Sequence, residues 1–310
     1  MTSPGRLSVI VPTHDTRELT LRCVETLEAE GTDGLEIVVV DDGSSDGTAE
    51  ALAAAHPRVR VVRLAPSAGF TRAANRGLAE ARGGVLLLLN SDTEVAPGAL
   101  APLLAAFDLD PGLGVAGAAL HYPDGSAQWS GGGAPTLLWL FGLASGLPPL
   151  LARLPFWRRV KPLGAPAGRV EWVTGAALAL RRQAWEESGG LDEEFHFYGQ
   201  DLDLCLRLRD AGWKVELVPE VRVLHHHGAT IGSRSNLELL WTDLLRWARK
   251  YRGTGFARRA AFALRSGAAL RRLGRTAATP FVPADRRGEW RAESEALRRA
   301  MAAIRQVSPG

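Results

Sequence analysis

The sequence is poor in cysteine, and it has no apolar run long enough to cross a bilayer. Cys23 and Cys205 are its two thiols among 310 residues, which gives no sign of a disulfide framework or a zinc site and fits a reducing cytosol. The longest apolar stretch, residues 136–152, is interrupted by Pro148 and Pro149 and is shorter than the ~20 residues of a membrane-spanning helix. The apolar run near the N-terminus is too short for a signal peptide. We therefore expect a cytoplasmic protein.

Acidic residues are scarce towards the end of the chain. Residues 241–310 hold 16 Lys+Arg against 5 Asp+Glu, a net charge of +11, whereas residues 1–240 hold 21 against 29, a net charge of −8. This asymmetry predicts a basic extension on a mildly acidic body. The body carries no recognised nucleic-acid-binding motif, so nucleic acid is not an expected partner. No GxGxxG follows the first apolar run, which argues against dinucleotide binding.

Apolar runs alternate with helical periodicities through the first hundred residues. "RLSVIVPTHD", "LEIVVVDDGSS", "RVRVVRL" and "GGVLLLLN" have the pattern of buried strands, and helical segments separate them. This β-α-β-α-β-α-β order predicts an α/β fold with a mostly parallel sheet flanked by helices. Residues 121–170 are rich in turns and prolines, which indicates an insertion of loops and short helices.

Polar residues stand where three of these strands end. Pro12, Asp41–Asp42 and Asn90–Asp92 close or directly follow apolar runs. The carboxyl ends of parallel strands meet at one edge of an open α/β sheet, where ligands bind. Asp92 alone could cap a turn or the helix that Pro97 begins. Three polar strand ends at one edge instead predict a binding site.

Two further groups of titratable residues lie beyond residue 195. "GQDLDLCLRLRDAGW" predicts a helix with Asp201 and Asp203 in its first turn, where acids also complement the helix dipole. The strand that follows ends in three histidines. On an extended strand His225 and His227 share one face, while His226 points the other way.

These segments together resemble a known family. "SVIVPTHD", "VVVDDGSSDGT", "LLNSDTEV" and the segment 189–230 are similar to inverting family 2 glycosyltransferases with the GT-A fold, in the bacterial branch that includes rhamnosyltransferases acting on polyprenyl-linked sugars. The resemblance covers residues 6–232. It implies transfer of a sugar from a nucleotide-diphosphate sugar to a hydroxyl of a polyprenyl-linked or glycan acceptor, with Mg²⁺ or Mn²⁺ as cofactor. It also implies a role in cell-wall or polysaccharide biosynthesis.

The resemblance implies where the cation binds. Asp92 matches the last acid of the family's Asp-x-Asp metal motif, whose first acid is replaced here by Asn90. This departure leaves Asp92 as the sole carboxylate of the motif. His225 matches a histidine that reaches the metal or the diphosphate in relatives, and His227 on the same face is the alternative.

The resemblance also implies contacts to the nucleotide sugar. Asp42 matches the position that hydrogen-bonds the base, whereas turn formation ahead of Gly43 explains Asp41 equally well. The other matched positions are Pro12, Thr13 and His14 around the base, Arg72 and Asn75 at a helix start, Ser91 in the metal motif, and Trp172 and Gly175 where donor and acceptor meet. Arg72 could equally be solvated, and a buried Trp172 could belong to the core.

Asp201 matches the second acid of the family's Glu-Asp motif, which supplies the general base. Gln200 replaces the usual Glu and cannot titrate, so Asp201 is the candidate base in the motif.

The alternatives to glycosyl transfer are nucleotidyl transfer onto a sugar phosphate and a scaffold or binding role. A sugar-phosphate nucleotidyltransferase would need a Gly-rich basic signature near the first strand, which is missing. Intact Asp42, Asp92 and Asp201 argue against a degenerate fold that serves as a scaffold or binding module.

We expect a domain over residues 1–232, with a nucleotide-binding half up to residue 95 and an acceptor half after it. A helical basic extension over residues 233–310 follows. Residues 237–251 carry an apolar stripe at helical spacing, which we expect to pack on the domain.

The segment 256–275 has a different pattern from the apolar stripe. Arg258, Arg265 and Arg272 recur every seven residues, and small apolar residues lie between them. This pattern favours a helix at a membrane surface. We therefore expect a peripheral protein on the cytoplasmic face of the cell membrane.

Overall fold

The computed structural model describes residues 6–147, 168–196, 198–226, 237–283 and 287–307. The chain forms two compact units. The α/β unit takes Met1–Ala134, Gly164–His196 and Gln200–Thr230, and the helical unit takes Pro135–Leu163, Phe197–Gly199 and Ile231–Gly310. All of the site residues expected from the sequence belong to the α/β unit.

All strands among the described residues lie in the α/β unit. They are β1 (Leu7–Thr13), β2 (Leu35–Asp41), β3 (Arg60–Arg63), β4 (Val85–Leu89), β5 (Thr93–Val95), β6 (Leu113–His121), β7 (Gly131–Gly132), β8 (Gly168–Arg169), β9 (Trp172–Val173), β10 (Ala177–Arg181) and β11 (Lys214–His225). The helices of the same unit are α1 (Arg17–Ala29), α2 (Thr48–Ala55), α3 (Phe70–Glu80), α4 (Leu100–Leu109), α6 (Arg182–Ser188) and α7 (Gln200–Asp210). The helical unit contains α5 (Leu137–Ser145), α8 (Leu237–Ala278) and α9 (Arg287–Val307).

The main sheet is mixed in direction. Within the described residues its order is β3-β2-β1-β4-β10-β6-β11-β5, with β8 beside β11, and β7 pairs separately with β9. β1, β2, β3 and β4 are parallel to one another, and β10 enters antiparallel between β4 and β6. The expected α/β class is confirmed. The parallel strands β1, β2 and β4 end at one edge, so the loops after them lie side by side.

The parallel strands form because their residues are apolar on both faces. All residues of β1 and β4 are buried, which is typical of parallel strands covered by helices on both sides. Helix α3 lies close against β1 and β2, since a Cβ added at Gly77 would overlap the side chains of Ile10 and Val40. This close approach sets the distance between α3 and the two strands.

The helical unit is organised around the long helix α8. Gly253, with φ 78° and ψ 171°, interrupts its helical backbone, so α8 has two arms. Trp241 and Trp247 of the first arm are fully buried. In the second arm a Cβ at Gly267 would lie 2.6 Å from the carbonyl oxygen of Phe141 on α5. Small residues therefore let α8 and α5 approach closely.

This packing corrects one expectation about the segment 256–275. The small apolar face that we expected at a membrane, which includes Ala260, Ala263, Leu264 and Gly267, is buried within the helical unit. It cannot contact lipid in this arrangement. Among the described helices, none is both long enough and apolar enough to cross a membrane.

Candidate functional site

The loops that follow β1 and β2 are hydrogen-bonded to each other. The backbone N–H of Asp42 donates to the carbonyl oxygen of Thr13 over 2.9 Å, and Nδ1 of His14 lies 2.7 Å from the carbonyl oxygen of Asp42. Pro12 and Thr13 are buried, whereas His14 is exposed. The structure therefore brings these four predicted residues together at the strand ends.

The carboxylate of Asp42 is buried and holds the turn before α3. It accepts hydrogen bonds from the hydroxyl of Ser67 at 2.8 Å and from the backbone N–H groups of Ala68 and Gly69 at 2.6 and 2.9 Å. The carboxylate of Asp41 accepts from the backbone N–H of Ser44 at 2.9 Å, which is a turn-forming contact. Contact between Asp42 and a nucleobase stays a prediction.

Arg72 and Asn75 lie on α3 and contact the segment before α7. Asn75 makes two hydrogen bonds of 2.9 Å with the backbone of Leu191, donating to its carbonyl oxygen and accepting from its N–H. Arg72 pairs with the carboxylate of Glu193 at 3.0 Å. Both residues therefore hold the chain that leads into α7, and their contact with a nucleotide stays a prediction.

Ser91 and Asp92 follow β4 and are each 2% exposed. The hydroxyl of Ser91 is linked to that of Thr16 at 3.0 Å, and Thr16 is linked to Thr13 at 2.8 Å. The backbone carbonyl of Asp92 accepts from the N–H of His226 at 2.9 Å. The end of β4 is thus fixed to the loop after β1 on one side and to the end of β11 on the other.

Asp92 and His225 face each other in the buried edge of the sheet. The distance from His225 Nε2 to Asp92 Oδ1 is 3.3 Å, and His225 is 7% exposed. His226 instead lies 2.8 Å from Glu94. Adjacent histidines therefore have different partners, as the alternation of an extended strand predicts. His227 lies outside the described residues.

The pair formed by Asp92 and His225 fits a divalent cation. A carboxylate oxygen suits Mg²⁺ or Mn²⁺, and imidazole is a common metal ligand. Two ligand atoms at right angles around a cation with bonds of ~2.1 Å lie about 3 Å apart, close to the observed 3.3 Å. No group of three or more His, Cys, Asp or Glu among the described residues could hold a metal. Phosphate oxygens and water would therefore complete the coordination, as is usual for Mg²⁺.

Asp201 lies in the first turn of α7, and backbone groups hold its carboxylate. Oδ2 accepts from the N–H of Gly175 at 2.8 Å, and Oδ1 accepts from the N–H of Leu202 at 2.7 Å. Burial raises the pKa of the Asp201 carboxyl above its usual value, against the opposing effect of these hydrogen bonds. The carbonyl of Ala176 accepts from the N–H of Asn90 at 3.0 Å. The contact between Asp201 and Gly175 therefore adjoins the end of β4.

Trp172 lies in β9 and is 8% exposed. Its indole N–H donates to the carbonyl of Gly133 at 3.1 Å, and its ring meets Trp129 edge-on with centroids 4.9 Å apart. These contacts give Trp172 a packing role. A role in contacting sugar stays a prediction.

Sequence reasoning missed three polar residues that organise this region. Thr16 connects Ser91 to Thr13, Ser67 binds Asp42, and Gln128 binds His225. Thr16 and Ser67 lie in polar loops after predicted strands, which is a signal that could have found them. Gln128 lies in a turn-rich segment whose spacing does not point to the site.

Comparison with known proteins finds relatives along most of the chain. Residues 8–154 match the family described as "Glycosyl transferase family 2", and residues 159–284 match "Glycosyl transferase family group 2". Over 214 residues the chain is 32% identical to the N-acetylglucosaminyl-diphospho-decaprenol L-rhamnosyltransferase of Mycobacterium tuberculosis, covering 64% of this chain and 68% of that protein. It is 31% identical over 235 residues to the O-antigen biosynthesis protein RfbC of Myxococcus xanthus, covering 73% of this chain and 18% of that protein.

A solved structure supports the same fold. The mannosyltransferase PcManGT of Pyrobaculum calidifontis, in complex with GDP-Man and Mn²⁺, matches with a TM-score of 0.59 at 18% identity, covering 99% of this chain and 88% of that chain. At this identity the match shows the fold alone. The fold is GT-A-like, with a mixed sheet flanked by helices and a C-terminal helical extension.

Proposed function

Because the chain belongs to glycosyltransferase family 2, in its rhamnosyltransferase-like branch, we propose that it transfers a hexosyl or rhamnosyl group from a nucleotide-diphosphate sugar to a hydroxyl of a polyprenyl-linked or polysaccharide acceptor. The main observation that supports the proposal is made at one edge of the sheet. There the end of β4 adjoins both the candidate cation pair, Asp92 and His225, and the candidate base, Asp201. The rhamnosyltransferase relative, whose name specifies a decaprenol-linked sugar, supports this acceptor class.

Asp92 and His225 would hold Mg²⁺ or Mn²⁺ against the diphosphate of the donor. When bound, the cation stabilises the negative charge that develops on the leaving diphosphate. The two side chains place their ligand atoms 3.3 Å apart. Asp92 and His225 are both buried, and a low local dielectric constant strengthens the interaction of these side chains with the charge of the cation.

Asp201 would act as the general base. Its carboxylate accepts the proton of the acceptor hydroxyl while the oxygen attacks the anomeric carbon, and the bond to the diphosphate breaks. One displacement from the opposite face inverts the anomeric configuration. Each carboxylate oxygen has two lone pairs, so the hydrogen bonds from Gly175 and Leu202 leave room for the acceptor proton. The raised pKa makes Asp201 a stronger base than an exposed aspartate.

The remaining residues would shape the donor site. Pro12, Thr13, His14 and Asp42 line the strand ends where the nucleoside is proposed to bind, with Ser91 beside the diphosphate. Arg72 and Asn75 are proposed near the nucleotide, and Trp172 and Gly175 where the donor sugar and the acceptor meet. The hydrogen bonds that hold Asp42 and Asn75 to backbone suggest that they act by keeping the loops in place.

The protein is further proposed to lie peripherally on the cytoplasmic face of the membrane, with α8 as the contact. Phe262 and Leu273 are 75% and 70% exposed. They are eleven residues apart, which is about three helical turns, so both lie on the same side of the second arm.

Basic side chains flank the same side of α8. Arg258 and Arg265 are exposed, and neither forms an ion pair within the part of the chain that the structure describes. Residues 244–284 contain ten Lys+Arg and no Asp or Glu. Exposed apolar side chains flanked by unopposed arginines suit a surface of anionic lipid.

A donor screen tests the proposed function. The purified protein is incubated with a panel of nucleotide-diphosphate sugars and Mn²⁺ or Mg²⁺, with and without a polyprenyl-linked acceptor, and released nucleoside diphosphate is measured. We expect release with one class of donor sugar that increases when the acceptor is added. A flat result across the whole panel would contradict the proposal and favour a scaffold or binding role.

A further inference from the structure

Gln128 is buried beside His225 and contacts both its backbone and its ring. The amide nitrogen of Gln128 donates to the carbonyl oxygen of His225 over 2.6 Å, and the amide oxygen lies 2.9 Å from Nδ1. Gln128 is 5% exposed. No motif of the family resemblance includes this residue.

The orientation of the Gln128 amide is fixed by its neighbours. Carbonyl oxygens accept hydrogen bonds and cannot donate them. The amide nitrogen lies 2.6 Å from the carbonyl oxygen of His225 and 3.4 Å from that of His121. Turning the amide over would place its oxygen against both carbonyl oxygens. The amide oxygen must therefore face the imidazole.

This orientation selects one tautomer of His225. The amide oxygen only accepts, so a hydrogen bond at 2.9 Å requires the hydrogen on Nδ1. In the neutral ring Nε2 then carries a lone pair. Nε2 faces Oδ1 of Asp92 at 3.3 Å. Two acceptor atoms directed at the same space are suited to a cation between them.

The backbone of Gln128 is also held in place. Its N–H donates to the carbonyl of Leu120 at 2.8 Å, and its carbonyl accepts from the hydroxyl of Ser130 at 3.2 Å. Ser130 in turn accepts from the N–H of Leu120 at 2.8 Å. The position of the amide is therefore set by the end of β6, which runs beside β11 and its His225.

We propose that Gln128 is a positioning residue that holds His225 as the Nδ1–H tautomer and so presents Nε2, together with Asp92, to a divalent cation. The role of the cation rests on the proposed function, whereas the tautomer is a property of the metal-free protein. Groups that orient a metal-binding histidine typically change metal affinity by ~10–100-fold when they are removed.

The test compares Gln128→Met, which keeps the side-chain length but removes both polar contacts, with the parent. Gln183→Met is the matched control, because Gln183 is exposed on α6. Gln128→Glu is the conservative variant, since a neutral carboxyl group can both accept from Nδ1 and donate its hydroxyl hydrogen to the carbonyl oxygen of His225. The tautomer is read from two-bond proton–nitrogen correlations of ¹⁵N-histidine, on the alkaline side of the ring titration, with His225→Gln used for assignment. Affinity for Mn²⁺ is read by electron paramagnetic resonance in the presence of nucleoside diphosphate.

The parent and Gln183→Met are expected to show the Nδ1–H tautomer at His225, and Gln128→Met is expected to lose it. Gln128→Met should also bind Mn²⁺ at least ~10-fold more weakly, with Gln128→Glu closer to the parent. An Nε2–H tautomer in the parent would overturn the inference, and so would unchanged Mn²⁺ affinity in Gln128→Met. If the parent bound no Mn²⁺, the metal role in the proposed function would fail, and the positioning role with it, even where the tautomer was as expected.

Discussion

The carboxylate of Asp201 accepts a hydrogen bond of 2.8 Å from the backbone N–H of Gly175. This contact ties the first turn of α7 to the segment that joins β9 to β10. The next residue along that segment is hydrogen-bonded to the end of β4. The candidate base is therefore held next to the end of β4, which leads into Asp92 of the candidate cation pair, although more than a hundred residues separate Asp92 from Asp201 in the sequence.

The pH dependence of activity should follow the state of Asp201. A general base works in its ionised form. Because burial raises the pKa of this carboxyl above the usual value of 3.8, protonation begins at a higher pH than in an exposed aspartate. We expect kcat/KM to fall about tenfold per pH unit below that raised pKa. The measurement is kcat/KM against pH, with circular dichroism to check folding. An acidic limb at or below the usual aspartate value would contradict the assignment.

Asp92→Asn should remove the metal-dependent part of nucleotide binding. The substitution keeps the shape of the side chain but removes the charge that faces His225 at 3.3 Å. We expect Mn²⁺ to increase the affinity of the parent for nucleoside diphosphate and to have little effect on the variant. Calorimetry with and without Mn²⁺ measures this, and thermal unfolding checks the fold. The same gain with Mn²⁺ in both proteins would exclude Asp92 from the site.

The exposed side chains of α8 should contribute to binding of anionic vesicles. Full burial of a large apolar side chain is worth about 1.5–3 kcal/mol, so replacing Phe262 and Leu273 together by Ser should weaken binding at least ~tenfold. Leu109→Ser is the control, because Leu109 is 84% exposed in the α/β unit. Flotation with anionic and neutral vesicles at low and high salt measures the effect, since salt screens attraction to the lipid charge. Equal flotation of the double variant and the parent would rule out this face.

Both cysteines should be inert in the folded protein. Burial raises the pKa of Cys23 and Cys205 to about 12, and the thiolate is the reactive form. We expect no labelling by a thiol reagent at neutral pH until denaturant is added, when both thiols should react. Reaction of either thiol in the native protein, at the rate of a free cysteine, would show that its surroundings differ from those described.

The strand ends and their polar residues could be predicted because the apolar runs of β1, β2 and β4 are continuous. Strand β6 could not be predicted in this way, because its sequence "LGVAGAALH" is rich in Gly and Ala, which are depleted in strands. The structure gives the reason for this composition. A Cβ at Gly114 would lie 2.7 Å from the side chain of Trp213, and one at Gly117 would lie 2.6 Å from that of Val173. Tertiary packing outweighs strand propensity there.

Some residues of the candidate site could be predicted from the sequence, and others could not. Asp92 and His225 were expected at one site, and the structure sets them 3.3 Å apart. The role of Gln128 could not be predicted, because it depends on a tertiary contact between the turn after β6 and the end of β11. The burial of the small apolar face of α8 could not be predicted either, because the sequence does not show that α5 packs near it.

The general-base role of Asp201 is tested by measuring sugar transfer by the parent and by Asp201→Asn side by side. The assay follows sugar transfer from the accepted donor to a polyprenyl-linked acceptor, with donor affinity measured on the same proteins. Asparagine keeps the size of the side chain but cannot accept the proton. We expect the variant to bind the donor like the parent and to transfer the sugar at least ~10²-fold more slowly. Transfer at the parental rate, or a collapse of donor affinity with turnover preserved, would contradict this role.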